Sequence, residues 1–262
     1  MDRDILRGKT ALITGASSGM GADFARELAA RGCLPILVAR RADRLQELQK
    51  EIAARYGVSA EWISTDLAEP SAPQRLFDGL KAHGRTVDVL INNAGYAVYG
   101  EFQTADWERT HQMLEVDIVA LTHLTRLFAA DMAARRFGYI LLIASTGAFQ
   151  PTPMYAAYAA AKSYVLFLGE SLHYELKSAG VGCTVLCPGV TRTEFFAVAG
   201  QEMTAFQRLT AMKSADTARI GIRAMLAGRS CVVAGRINAL VAWGTRFAPR
   251  QFLASMADKM IG

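Results

Sequence analysis

A chain of 262 residues with a formal charge of +5, about half apolar and one-fifth charged, has ample material for a buried core. Its composition does not indicate disorder, and no Pro/Gly/Ser-rich linker, repeat or charge block divides it, so residues 1–262 read as one domain. Cys33, Cys183, Cys187 and Cys231 form no CxxC or His/Cys cluster, and "MDRDILRGKTALIT" holds no apolar run of signal-peptide length, so no metal, reduced thiols and a cytoplasmic location are expected.

The first apolar run, "TALIT" (Thr10–Thr14), is followed by "TGASSGMG" and a helix-periodic segment near 19–31. Gly15, Gly19 and Gly21 at a strand-to-helix turn let the backbone approach a pyrophosphate, whose charge then sits on the first amides of the helix. Ser17, Ser18 and Met20 share that turn. The second run, "LPILVA" (Leu34–Ala39), ends in "VARRADRL". A dinucleotide site places a carboxylate there when it must hold a free 2′-hydroxyl. This chain instead has Arg40 and Arg41, which suit a 2′-phosphate through charge-assisted hydrogen bonds and point to NADP. Asp66 and Leu67 follow the third run, "SAEWIS" (Ser59–Ser64), and "NNAG" (Asn92–Gly95) follows the fourth, "VDVLI" (Val87–Ile91). Adenine and ribose contacts or a local Asx-type turn explain these equally well.

After the fifth run, "YILLIA" (Tyr139–Ala144), comes Ser145, and then a helix near 154–179 carrying "YAAYAAAK". Tyr158 and Lys162 stand at i and i+4 on one helical face, whereas Tyr155 meets Ala159. A serine hydroxyl, a tyrosine hydroxyl and a nearby ammonium make a workable carbonyl-reduction site: the serine holds the carbonyl oxygen, the tyrosine gives its proton, and the lysine favours the phenolate. The runs "GCTVLC" (Gly182–Cys187) and "SCVVA" (Ser230–Ala234) follow, with further helices near 41–55, 72–83, 105–134 and 215–228. Cys183 and Cys187 on one strand would have Cα atoms roughly 13 Å apart, too far for a disulfide. Seven strands alternating with six helices predict an α/β, doubly wound parallel sheet with its ligands at the carboxyl ends of the strands.

In "TGASSGMG", "NNAG", Ser145, "YAAAK" and "PGVTRT" the chain resembles the short-chain dehydrogenase/reductase family, in its form of about 250 residues, over roughly residues 8–235. The resemblance implies a single Rossmann domain with Ser145, Tyr158 and Lys162 catalytic. It implies that Gly15, Ser17, Ser18, Gly19, Met20, Gly21, Asp66, Leu67, Asn92, Ala94 and Gly95 line the cofactor, together with Tyr158 and Lys162. Pro188, Gly189, Val190 and Thr193 would hold its nicotinamide end. The family usually has an asparagine in the long helix after the fourth strand, its main-chain carbonyl holding a water beside the lysine. Here "LEVDIVAL" places Asp117 there.

The loops "GYAVYGEF", "FQPTPM" and "FFAVAGQEMTAFQRL" carry Tyr96, Tyr99, Phe102, Phe149, Met154, Phe195, Phe196, Met203 and Phe206, apolar for connecting segments, and favour a bulky apolar ketone or aldehyde over a sugar. A core or interface role for them stays open. An NADP-dependent carbonyl/alcohol oxidoreductase is the reading favoured here, with a substrate loop about 190–213. A catalytically weak or silent dinucleotide-binding scaffold is the alternative raised by Asp117. A sugar-nucleotide epimerase fits the glycine spacing less well. The stripe Leu121, Leu124, Leu127 and Phe128 suggests helices packed between subunits of a homodimer or homotetramer. From Arg219 onward seven Arg/Lys face one acid, Asp258. Without a nucleic-acid motif, this basic tail, helical over about 236–262, reads as a solvated face or a peripheral membrane contact, not an inserted span.

Overall fold

The computed structural model describes residues 5–203, 207–208 and 211–261. Strands β1 (Thr10–Thr14), β2 (Leu34–Ala39), β3 (Glu61–Ser64), β4 (Val89–Asn92), β5 (Gly138–Ile143), β6 (Val181–Cys187) and β9 (Cys231–Val233) form one parallel sheet in the order β3-β2-β1-β4-β5-β6-β9. The chain runs outward from β1 to β3, then returns to place β4 on the other side of β1. That reversal opens a crevice beyond the carboxyl ends of β1 and β4.

The continuous apolar runs are explained by helices covering both faces of the sheet. Ile13, Leu37, Ile91 and Leu141 face α1 (Gly19–Ala29) and α8 (Ser214–Leu226), meeting Phe24, Leu28, Ile222 and Met225. Their neighbours Leu12, Ile36, Leu90 and Leu142 face the other way, toward Leu124 and Phe128 of α5 (Leu121–Arg135) and Val165 of α6 (Ala156–Lys177). In register, Leu12 lies between Ile36 and Leu90. Helices α2 (Ala42–Tyr56) and α3 (Ala72–Ala82) complete the layers on either side of β3.

Several expectations are corrected. The single helix read over 105–134 is α4 (Trp107–Leu114), a π-helical stretch (Glu115–Ala120) and α5. The π-helical stretch shifts the apolar pattern by about one position, too small a change within six residues for periodicity to reveal. Leu121, Leu124 and Phe128 are buried in the core, because a helix stripe marks the covered face without saying what covers it. Three of the four residues of the expected stripe thus pack within the chain, and Leu127 is half-buried. The strand ends expected at Ser59 and Val87 begin at Glu61 and Val89. After β6 the chain adds a two-residue strand, β7 (Thr191–Arg192), helix α7 (Phe195–Ala199) and β8 (Met212–Lys213), paired with β7. The tail is helical as expected, with α9 (Arg236–Gly244) and α10 (Arg250–Ile261). Phe206 lies outside the described residues.

Candidate active site

Two voids meet over the sheet's carboxyl edge. The first, about 320 Å³, is lined by Gly15, Ser17, Ser18, Gly19 and Met20 of the β1–α1 turn, by Arg40 and Arg41 after β2, and by Asp66 and Leu67 after β3. Ala94, Gly95 and Thr193 close it. Gly15 has φ +67°, and a Cβ there would stand 2.9 Å from the Ala94 Cα, so the turn requires glycine. Ser18 enters α1 in extended conformation, and the lining residues Ser18 to Met20 place the helix's N-terminal end at the cleft.

Two expected residues stay out of the cleft. Gly21 is buried behind the turn, where a Cβ would meet the Gly15 carbonyl oxygen at 2.1 Å. Asn92 ends β4 facing the core; its amide donates to the Leu121 carbonyl (3.2 Å) and the Thr125 hydroxyl (2.9 Å), joining the sheet to α5. The neighbouring Asn93 lines both voids instead and donates to the Thr14 carbonyl at 2.9 Å. The Thr14 hydroxyl accepts from the Asn93 and Ala94 amides (3.0 and 2.9 Å), locking the "NNAG" turn to β1. Neither role was read from the sequence, although strand alternation puts adjacent asparagines on opposite sides.

At the outer end of this cleft the charges are exposed and paired. Arg41 Nε donates to the Ser17 hydroxyl at 3.3 Å, and its Nη2 bridges the opening to Glu194 Oε2 at 3.0 Å. That hydrogen bond holds the Glu194 carboxyl below its ordinary pKa. Arg40 Nη1 stands 3.6 Å from Asp66 Oδ2.

The second void, about 300 Å³, is lined by Ser145, Tyr158, Lys162, Pro188, Gly189 and Val190, with Phe195 and Phe196 of α7 on its apolar side. Met20, Asn93, Gly95, Thr193 and Phe195 line both voids, so the spaces are contiguous. Of the other loop residues, Phe149 packs on the core and Phe102 is exposed, while Tyr99 packs against Tyr155 with centroids 5.2 Å apart. Tyr155 also lines the cavity; its hydroxyl donates to Gln201 Oε1 at 2.5 Å, and burial raises its pKa.

Ser145 leaves β5 in extended conformation, and its oxygen accepts from the Gly147 amide at 3.1 Å. One turn apart on α6, Tyr158 and Lys162 approach with the ammonium 5.6 Å from the ring centroid. Lys162 donates to the Ile143 carbonyl at 3.2 Å and stands 3.0 Å from Asp117 Oδ2. This approach is an ion pair, not an aligned hydrogen bond; no aligned donor among the described residues reaches Oδ2, although the carboxylate is wholly buried. Asp117 Oδ1 accepts from the Tyr96 amide at 3.2 Å. A Cβ on Gly95 would come within 2.5 Å of that oxygen, so glycine there makes room for the carboxylate.

The electrostatics differ from those expected for an unopposed lysine. Burial raises the Tyr158 pKa and the Asp117 charge raises it further, against the downward pull of a hydrogen bond with Ser145. The Asp117 pKa is itself raised by burial, with Lys162 pulling the other way. Burial and the Asp117 charge thus both favour the protonated phenol. Among the described residues no group of three or more His, Cys, Asp or Glu is placed to hold a metal ion.

Residues 9–204 match the model of the short chain dehydrogenase family. A very-long-chain 3-oxoacyl-CoA reductase of Anas platyrhynchos is 34% identical over 180 residues, covering 66% of this chain and 57% of that protein. The chain thus spans little more than half the length of such curated relatives. Among solved structures, a short-chain dehydrogenase from Sphingobium yanoikuyae in complex with NADPH is similar at a TM-score of 0.81 and 30% identity, over 91% of this chain and 94% of that one. A short-chain dehydrogenase/reductase from Burkholderia phymatum in complex with NAD has a TM-score of 0.81 and 26% identity, over 91% and 92% of the two chains. With a family match spanning most of its length and a site assembled at the sheet's switch point, the chain belongs to the short-chain dehydrogenase family.

Proposed function

We propose that the protein is an NADP(H)-dependent oxidoreductase that interconverts a ketone or aldehyde with its alcohol, on a bulky apolar substrate. The observation that carries this reading is the position of Ser145, Tyr158 and Lys162 in an apolar cavity that opens directly onto the glycine-turn cleft. The residues present fit a nicotinamide dinucleotide: Ser17 to Met20 suit a pyrophosphate, Arg40 and Arg41 a 2′-phosphate, and Pro188, Gly189, Val190 and Thr193 the nicotinamide end. When bound, that group supplies or accepts the hydride. A relative named very-long-chain 3-oxoacyl-CoA reductase supports a carbonyl on an apolar chain.

In this reading Ser145 hydrogen-bonds the substrate's carbonyl oxygen, and the Tyr158 hydroxyl transfers its proton to that oxygen. Lys162 steadies charge on the phenolate that remains. Asp117 orients Lys162 and tempers its charge. The raised Tyr158 pKa suits the phenol to proton donation in carbonyl reduction, and alcohol oxidation, which needs the phenolate, should quicken as pH rises. The test is incubation of the protein with NADPH and a panel of apolar ketones and aldehydes while nicotinamide absorbance is followed. Turnover is expected. NADPH binding without turnover of any carbonyl compound would favour the silent scaffold reading.

We also propose a homo-oligomer assembled through the outer faces of α5 and α6, supported by exposed Phe167 and Tyr174 and by a shallow apolar groove between Ala129, Ala133, Leu168 and Leu172. Light scattering should report a multiple of 28.4 kDa; the single-chain mass alone would refute it. The free cysteines support a reducing, cytoplasmic compartment.

A further inference from the structure

Among the described residues sixteen large apolar side chains are exposed, and seven of them fall in the stretch from α9 through α10. Helix α9 turns its small, polar side inward: Ala242 is buried, and Asn238 donates to the Ala234 carbonyl at 2.7 Å. Its outward side carries Ile237, Leu240 and Val241 at i, i+3 and i+4, with Trp243 beside them, the reverse of an ordinary surface helix. Trp243 meets Phe247 with centroids 4.6 Å apart. In α10, Leu253 and Ala257 face inward while Phe252 and Met256 face outward. These seven residues are between 44% and 74% exposed.

The charge around this surface has one sign. Arg236, Arg246, Arg250 and Lys259 are all exposed, and none forms an ion pair among the described residues. The stretch contains one acid, Asp258. Two copies meeting face to face here would bring eight cations together against two carboxylates. A surface of fixed negative charge with an apolar interior satisfies both features at once: cations on headgroup phosphates, aromatic and aliphatic side chains at the acyl boundary. No helix among the described residues is long and apolar enough to cross a membrane, so the geometry is that of lying on one.

We propose that the outward face of α9 and α10 docks the protein on an anionic lipid bilayer. Val241 belongs both to this face and to the wall of the cavity that holds Ser145 and Tyr158, and Ala242 and Thr245 line the cavity beside it. Docking therefore sets the cavity wall against the lipid, where apolar carbonyl compounds concentrate. That consequence rests on the catalytic reading above; the docking itself does not.

Co-sedimentation with vesicles of phosphatidylcholine, alone or mixed with phosphatidylglycerol, tests the docking without any turnover. Binding is expected only to the mixed vesicles, with salt weakening it. Arg246→Gln should reduce affinity about fivefold, as expected for one cation near an anionic surface. Trp243→Ser with Phe247→Ser should abolish binding while leaving NADPH binding intact, which reports that the variant is folded. In the unmodified protein Trp243 fluorescence should shift to the blue on mixed vesicles. Absence of binding would overturn the proposal, as would equal binding to neutral vesicles. So would conversion of a larger assembly to a smaller one by the double substitution with vesicle binding unchanged, which would make this face a contact between copies.

Discussion

The two ends of the cleft both carry ion pairs, and their surroundings give those pairs opposite uses. Arg40–Asp66 and Arg41–Glu194 lie in solvent, where such pairs contribute about 0–1 kcal/mol and exchange partners readily. Lys162–Asp117 is almost wholly enclosed, where losing one partner leaves an uncompensated charge. The open end is therefore suited to releasing a guanidinium to an arriving phosphate. The closed end is suited to holding a fixed field on Tyr158.

Substitutions at the closed end should have the largest effects. Tyr158→Phe should abolish carbonyl reduction while NADPH binding survives, since the ring still fills its place and only the proton donor is gone. Tyr155→Phe should be mild, because that hydroxyl is engaged with Gln201; equal losses in steady-state assays of the two variants would refute the assignment. Lys162→Met should destabilise the fold by about 3–5 kcal/mol at neutral pH, measured by urea titration. The sign with pH follows from Asp117. Its folded pKa, already raised by burial, loses the opposing ammonium and moves higher, so the variant's stability should fall as pH rises from the ordinary carboxylate range through that raised value. A penalty that grew in acid would contradict this.

The open end should respond more gently. Arg40→Ala should weaken NADPH binding by about 1.5–3 kcal/mol and leave NADH nearly unaffected, as expected for a lost charged hydrogen bond. Equal affinity of the unmodified protein for the two cofactors, measured by fluorescence titration, would remove the basis for NADP preference. Glu194→Gln should strengthen NADPH binding by no more than about 1 kcal/mol, because the exposed carboxylate competes with phosphate for Arg41. A weaker NADPH complex would show that Glu194 supports the site.

Much of this was legible in the residues. β1 and β2 begin and end where their apolar runs do, because parallel strands buried on both faces leave an uninterrupted signature. The glycine turn, Ser145, Tyr158 and Lys162 announced themselves by chemistry at strand ends. The exchange of Asn92 for Asn93 was hidden because a shift of one residue across a strand end reverses the side chain's direction. Glu194 opposite Arg41 is a contact across 153 positions that no local pattern encodes. Asp117 stood out as a departure from the family pattern, but its pairing depends on the π-helical stretch that carries it beside Lys162, and periodicity does not register that stretch. The apolar stripe of α5 marks a covered face, and three of its four residues are covered by the chain's own core.

The proposed role of Asp117 is that of an ionised neighbour, paired with Lys162, that offsets the ammonium and favours the Tyr158 proton. Its most direct test is the pH profile of alcohol oxidation, measured for the unmodified protein and for Asp117→Asn with the same substrate and saturating NADP. Removing the carboxylate removes one of the causes raising the Tyr158 pKa, so the apparent pKa of the rising limb should fall, each unit corresponding to about 1.4 kcal/mol of altered field. Activity should survive in both proteins. An apparent pKa that stays fixed or rises on substitution would contradict the account.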